Sequence, residues 1–203
     1  MRKIAKIIGT SLLILALAWI GTVIADRQRL SDNLIRLHVV GASDSREDQT
    51  VKLQVRDAIV EALGEAMDAL PDVDAAKEYL NDQLPRLQEI AADTLKAAGR
   101  EDAVTVNLTQ EAFPTRAYDT FSLPAGVYES LKITIGEGEG KNWWCVVFPS
   151  LCLPATSEGF ADTAAGAGFP DSLAGALQHD GGYEIRFFFL DCFGWLENLF
   201  HRT

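Results

Sequence analysis

The sequence predicts an α+β domain in which helices pack on one face of a mostly antiparallel sheet, preceded by an N-terminal membrane or signal segment. Three observations predict it. A basic tripartite flank leads into a long uncharged run, apolar residues then recur at helical spacing through the first half, and they alternate with period two through much of the second.

Arg2, Lys3 and Lys6 precede "IIGTSLLILALAWIGTVIA", from Ile7 to Ala25. A positive flank followed by an apolar stretch is the pattern of a segment that leaves water with its charged end inside. The run is longer than most signal-peptide cores and just reaches the length of a spanning helix. Residues 1–25 are therefore read as a signal peptide or a membrane anchor. Val23 and Ala25 leave a small-residue pattern that a signal peptidase accepts. The chain beyond Ala25 is then extracytoplasmic, with "DRQRLSDN" (26–33) as a polar tether and 34–203 as a single domain.

"LIRLHVV" alternates, with Ile35, Leu37 and Val39 on one side and Arg36 and His38 on the other, which makes a half-buried strand. In "GASDSREDQ", Ser45 and Asp48 stand as N-cap and third helical residue, with acidic groups crowding the first turn. Val51, Val55, Ile59 and Leu63 then mark an amphipathic helix to about Leu70. "PDVD" resets the chain before a second helical stretch, Ala75 to Ala98, which Pro85 is expected to split in two.

Val104, Val106 and Leu108 open the second half as a strand, "LPAG" reads as a turn, and Leu131, Ile133 and Ile135 alternate in a further strand. "GEGEGKN" is expected to close a hairpin into "WWCVVF", apolar on both sides like a strand inside a sheet. From about 155 to 182 the chain is rich in Gly, Ala and Asp without a period, as in a mobile loop. "YEIRFFF" reads as a last strand, and Leu190, Phe193, Leu196 and Phe200 share one face of a closing helix.

Charge removes one class of function. Without the basic flank, the exported part carries 15 basic against 29 acidic residues, a net of −14. No stretch is basic enough to serve as a footprint on nucleic acid, and a bare anionic lipid surface is a poor partner. A phosphate loop ending at Lys141 would need glycine at 135 and Ser or Thr at 142, where Ile135 and Asn142 stand, and Glu137 and Glu139 would repel phosphate. His38, His179 and His201 are scattered with no metal-ligand spacing, and the acids Asp44, Glu47 and Asp48, which could hold calcium weakly, also match an ordinary acidic helix start. No metal or cofactor is expected. Ser43, His38 and Asp44 supply the residue types of a triad, but nothing local builds a nucleophile elbow or an oxyanion hole. An enzyme with a small-molecule substrate is thus not expected. The alternatives retained are a secreted or anchored hydrolase using His38 and nearby acids, and a structural envelope protein.

Three cysteines remain. Cys145 and Cys152 form a disulfide only if the chain reverses near Pro149 and Ser150; otherwise they are two small buried thiols. Trp143 and Trp144 must face opposite sides of their strand, so one belongs to the core and the other lies under a helix or meets a partner.

"LIRLHVVGASDSREDQTVKLQVRDAI", "LPAGVYESLKITIGEGEGKNWWCVVFPSLC" and "YEIRFFFLD" together resemble the opening motif, second motif and closing strand of the stage II sporulation protein R family. The resemblance runs from about Leu34 to Leu190 and is weakest across 155–182. It implies a protein made in the forespore, exported into the space facing the mother cell and either anchored or released there. It also implies a role as a signal that triggers a membrane-embedded aspartic protease, which cleaves the pro-sequence of pro-sigma-E. Arg36, His38, Asp44, Arg56, Asn142, Trp143 and Trp144, all in the two motif regions, are the residues expected to meet the partner. The alternative for each is that it fixes the turn and first helix to the sheet.

Overall fold

The computed structural model describes residues 2–118, 121–149, 173, 177 and 185–201. Helix α1 (Arg2–Asn33) contains both the apolar run and the stretch expected as a tether. Residues 26–33 are helical for a packing reason. Val23, Asp26 and Leu30 recur at helical spacing and are all buried in the domain, and the Ser31 hydroxyl donates to the Val127 carbonyl. The side chains of Ile4, Ile7 and Ile8, and those from Leu12 to Leu15 and at Leu17, are bare, and α1 is long and apolar enough to cross a membrane.

Strand β1 (Ile35–Val40) leads into α2 (Arg46–Asp68), where Ser45 caps the helix by accepting from the Asp48 N–H at 3.1 Å. Asp72 does the same for α3 (Val73–Ala97), accepting from the Ala75 N–H at 2.9 Å. The break expected at Pro85 is absent. Leu80 on one side and Leu87, Ala91 and Leu95 on the other form one buried stripe. Burying such side chains is worth about 2 kcal/mol each, which together outweighs the single hydrogen bond and the local fit that proline removes.

The sheet runs β2 (Val104–Phe113), β5 (Gly126–Ile135), β1, β6 (Asn142–Phe148), and a two-stranded ribbon of β3 (Arg116–Ala117) and β4 (Ser122–Leu123) stands beside it. The outer pairings are antiparallel and the central β5–β1 pairing is parallel, so the sheet is mixed. Because β1 lies between β5 and β6, "GEGEGKN" is not a hairpin turn. It arches over the end of β1 and docks on the loop that leaves that strand. The Gly140 N–H donates to the Gly41 carbonyl at 2.8 Å, and the Lys141 N–H to Asp44 at 2.7 Å. The Lys52 ammonium holds the Lys141 carbonyl at 2.9 Å. A side chain at Gly140 would overlap the Ser43 and Gly41 carbonyls, and Gly136 and Gly138 have φ of +59° and +68°.

"YEIRFFF" does not make a last strand. From Ile185 the chain is helix α4 (Ile185–His201), while Tyr183 and Glu184 lie outside the described residues. Its alternation covers too few residues to compete with a 3.6-residue pattern, in which Phe189, Leu190 and Phe193 pack inward. The single-sided arrangement of helices is also corrected. Helices α2 and α3 cover one face over Leu37, Val39, Leu131 and Ile133, whereas α1 and α4 cover the other over Phe113, Tyr128 and Val146. That second face is too rich in aromatic area to be left to water. Most of the loop expected at 155–182 lies outside the described residues; Leu173 and Leu177 are helical and buried.

Candidate functional site

Odd and even residues of β1 part company at the sheet. Ile35, Leu37 and Val39 join the core under α2 and α3, and Arg36 and His38 enter the layer facing α4. Register places His38 beside Lys132 of β5 and Trp144 of β6, in a row that continues to Asn107 of β2. Glu111, four pairs along β2, reaches back to this row. His38 Nδ1 donates to the Glu111 carboxylate at 3.1 Å, and the Lys132 ammonium donates to the same group at 2.7 Å. His38 Nε2 meets Asn142 Oδ1 at 3.0 Å. Burial would raise the Glu111 pKa, but the hydrogen bonds from His38 and Lys132 outweigh it and hold the carboxyl at about 2. Trp144 stacks on the imidazole at 5.6 Å, and the Arg116 guanidinium lies 3.6 Å from the Trp144 ring centre.

His38, Glu111, Asn142 and Trp144 form one wall of a cleft of about 790 Å³ whose other wall is α4. Gly194 brings that helix in, since any side chain there would overlap the Ala125 carbonyl. Asp191 completes the attachment by accepting from the Ala125 N–H at 2.8 Å and from the Thr115 hydroxyl. The Asn198 amide nitrogen donates to the Phe113 carbonyl at 2.7 Å.

The sequence-predicted residues separate into three groups. His38, Asn142 and Trp144 come together in the cleft. Arg56 and Trp143 meet on the opposite side of the sheet, with the guanidinium 4.2 Å from the indole centre and Asp57 paired to the same arginine. Asp44 serves the arch, and Arg36 is wholly buried. Arg36 lies 4.0 Å from the Phe113 ring centre, donates to the Tyr118 hydroxyl at 3.0 Å, and leaves Nε and Nη1 without partners. Arg36 has no surface to present to a partner, whereas Asp44 remains exposed beside the arch. Cys145 is disulfide-bonded and Cys192 is free; Cys152, the expected mate of Cys145, lies outside the described residues.

Both His38 ring nitrogens are taken by Glu111 and Asn142, so the imidazole is held in place with no hydroxyl or thiol at either nitrogen. Ser43, five residues on, lies in the loop beneath the arch with its hydroxyl on Asp48. That bond, with Arg100 beside it, keeps the Asp48 carboxyl below its ordinary range. Sequence reasoning missed Glu111, Arg116, Gly194 and the α4 wall. Only Gly194 left a signal, as a lone glycine inside an apolar helical pattern.

Comparisons with known proteins agree on one family. Residues 31–158, more than half of the chain, match the model of stage II sporulation protein R; this segment holds the sheet wall of the cleft and the arch but not α4. The stage II sporulation protein R of Bacillus subtilis (strain 168) is 36% identical over 132 residues, which is 65% of this chain. The chain spans 59% of the length of that relative. No solved structure matches it. The chain belongs to the stage II sporulation protein R family.

Proposed function

We propose that this protein is an exported signal of endospore formation rather than an enzyme. It leaves the forespore for the intermembrane space and there activates a membrane-embedded aspartic protease that cleaves pro-sigma-E. The observation that carries the reading, beside family membership, is that the domain is built onto its apolar helix. Val23 and Leu30 of α1 are buried with Phe113 and Tyr128 of the sheet in one core. A ligand held in this way acts on partners in the same envelope space. The mechanism is differential binding, in which the signal prefers the active state of the protease and shifts its population. A shift from 1:99 to 99:1 requires about 10⁴-fold tighter binding to the active state.

The test is co-expression with the protease and pro-sigma-E in a bacterium that does not sporulate, with cleavage followed by immunoblot. Cleavage should require this protein and should fail when residues 2–17 are deleted, which spares Trp19 and the buried Val23, and the domain stays in the cytoplasm. An intact precursor, with both proteins exported and folded, would refute the reading.

A further inference from the structure

Outside α1, the large apolar side chains left exposed among the described residues are Trp143 and five on α4: Phe188, Trp195, Leu196, Leu199 and Phe200. Phe188, Trp195 and Leu199 fall on one helical face, and that face is the wall of the cleft opposite His38 and Trp144. An apolar face beside a membrane helix suits either lipid or protein. The register of α4 on α1 decides between them. Phe189 meets Trp19 edge to face at 4.9 Å, and Glu197 pairs with Arg27. Eight residues separate the contacts on each helix, so the two rise side by side and in step. Trp195, Leu199 and Phe200 therefore stand level with the last turns of α1, where Asp26, Arg27, Arg29 and Asp32 are found. Ionised groups of that density belong outside the hydrocarbon, and the α4 side chains level with them lie outside it too.

We infer that the cleft is a docking groove for a juxtamembrane segment of a membrane-embedded protein, apolar with basic residues interspersed. The apolar part follows from Trp195, Leu199 and Trp144. The basic part follows from the polar groups that line the groove. Glu111 is already held by His38 and Lys132, so the acceptors left to a ligand are Asp191, whose two donors both fall on Oδ1, and Asn198 Oδ1, which is buried without a hydrogen-bond partner among the described residues; the exported part as a whole carries a net charge of −14. Tryptophan beside carboxylates is a setting that favours arginine or lysine. The Trp195–Leu199 end of the groove stands level with the charged turns of α1, and its Phe188 end level with the last apolar turns, so it is within reach of a segment that leaves the membrane. The proposal rests on the reading of this protein as a ligand of the protease, and it adds where on the ligand the protease sits.

The test uses the full chain in the same co-expressing cells. Trp195→Glu and Leu199→Glu replace exposed side chains and leave the core intact, with exposed Glu89 of α3 changed to Lys as the control. Each groove variant should lower precursor cleavage at least tenfold while the control does not. Cys192 gives a direct readout, because its free thiol is exposed and lines the groove. A benzophenone attached there should crosslink to an epitope-tagged protease, and Trp195→Glu should abolish that adduct. Crosslinks to lipid alone, or normal cleavage by both groove variants, would overturn the groove. If the unaltered protein leaves the precursor whole, the functional reading falls instead, so the two failures are distinguishable.

Discussion

On one side of β1, Leu37 and Val39 sit under α2 and α3 in a layer of mostly aliphatic side chains, whose buried polar groups, Asp48 and Lys52, are confined to the first two turns of α2; on the other, Arg36 and His38 sit among Tyr118, Glu111 and Trp144. The same strand thus serves two layers with opposite costs. The first is filled by aliphatic groups that ask only for volume and exclusion of water. The second buries a guanidinium, a histidine and a carboxylate, each of which must recover in hydrogen bonds and ring contacts what it loses in hydration. The contrast teaches where to look for function. A layer that carries unsatisfied polar atoms and an open cleft is not the cheapest way to stabilise a sheet.

The contrast is sharpest under truncation of the apolar layer. Leu131 is fully buried and paired with Leu37 and Leu108, and Leu131→Ala should cost about 2–5 kcal/mol. Thermal unfolding of the detergent-solubilised chain, followed by near-ultraviolet circular dichroism, reads this as a clear fall in Tm. A smaller loss than that of any single change on the other face would dissolve the distinction.

Acid attacks the opposite layer. Glu111 has its carboxyl held at about 2, against an ordinary value of 4.5. Its folded value is the lower one, so its contribution is present above the unfolded value and is lost as pH falls from about 4.5 towards 2. A shift of this size corresponds to roughly 3 kcal/mol. Glu111→Gln should flatten the stability profile in that window, and an unchanged profile would show that His38 and Lys132 do not hold the charged form.

Gly194→Ala asks whether the two layers fail separately. The added methyl overlaps the Ala125 carbonyl, so α4 must move off the sheet, at a cost of roughly 1–3 kcal/mol. Precursor cleavage should fall while hydrogen exchange in α2, α3 and β1 stays slow. Loss of protection in both layers together would mean that they are one cooperative unit.

The smallest effect belongs to Arg36→Met. The guanidinium is buried with Nε and Nη1 unpartnered, and replacing a buried charge by an apolar group of similar volume is often neutral or stabilising. The Tm should stay within a few degrees of the original or rise. A large fall would show that the contacts to Tyr118 and Phe113 outweigh the desolvation of the charge.

The apolar layer is legible in the sequence because it follows periods. Val55, Ile59 and Leu63 keep helical spacing, Leu131 and Ile133 alternate, and Ser45 caps α2 as its position requires. The other layer is legible only in part, because its order comes from pairings distant in sequence. Nothing local tells that β1 inserts between β5 and β6, and so that the acidic glycine run arches instead of turning. The same insertion brings Glu111 to His38 across 73 residues. The last apolar stretch reads as a strand at its start because "YEIRF" alternates over a few residues, and its helical partner, α1, lies at the far end of the chain. Of the seven residues expected to meet a partner, those whose side chains alternate into the cleft are placed by strand parity alone, whereas the burial of Arg36 and the arch role of Asp44 need the tertiary neighbours.

A stoichiometric titration tests most directly whether this protein acts by binding. The full chain would be reconstituted in vesicles with a fixed amount of the protease and an excess of pro-sigma-E, and the initial cleavage rate measured as its amount is raised. Binding predicts a rate that climbs in proportion and levels off near equivalence with the protease. Full activation by about a hundredth of an equivalent, where each molecule must serve many proteases in turn, would contradict it and make turnover by this protein the better account.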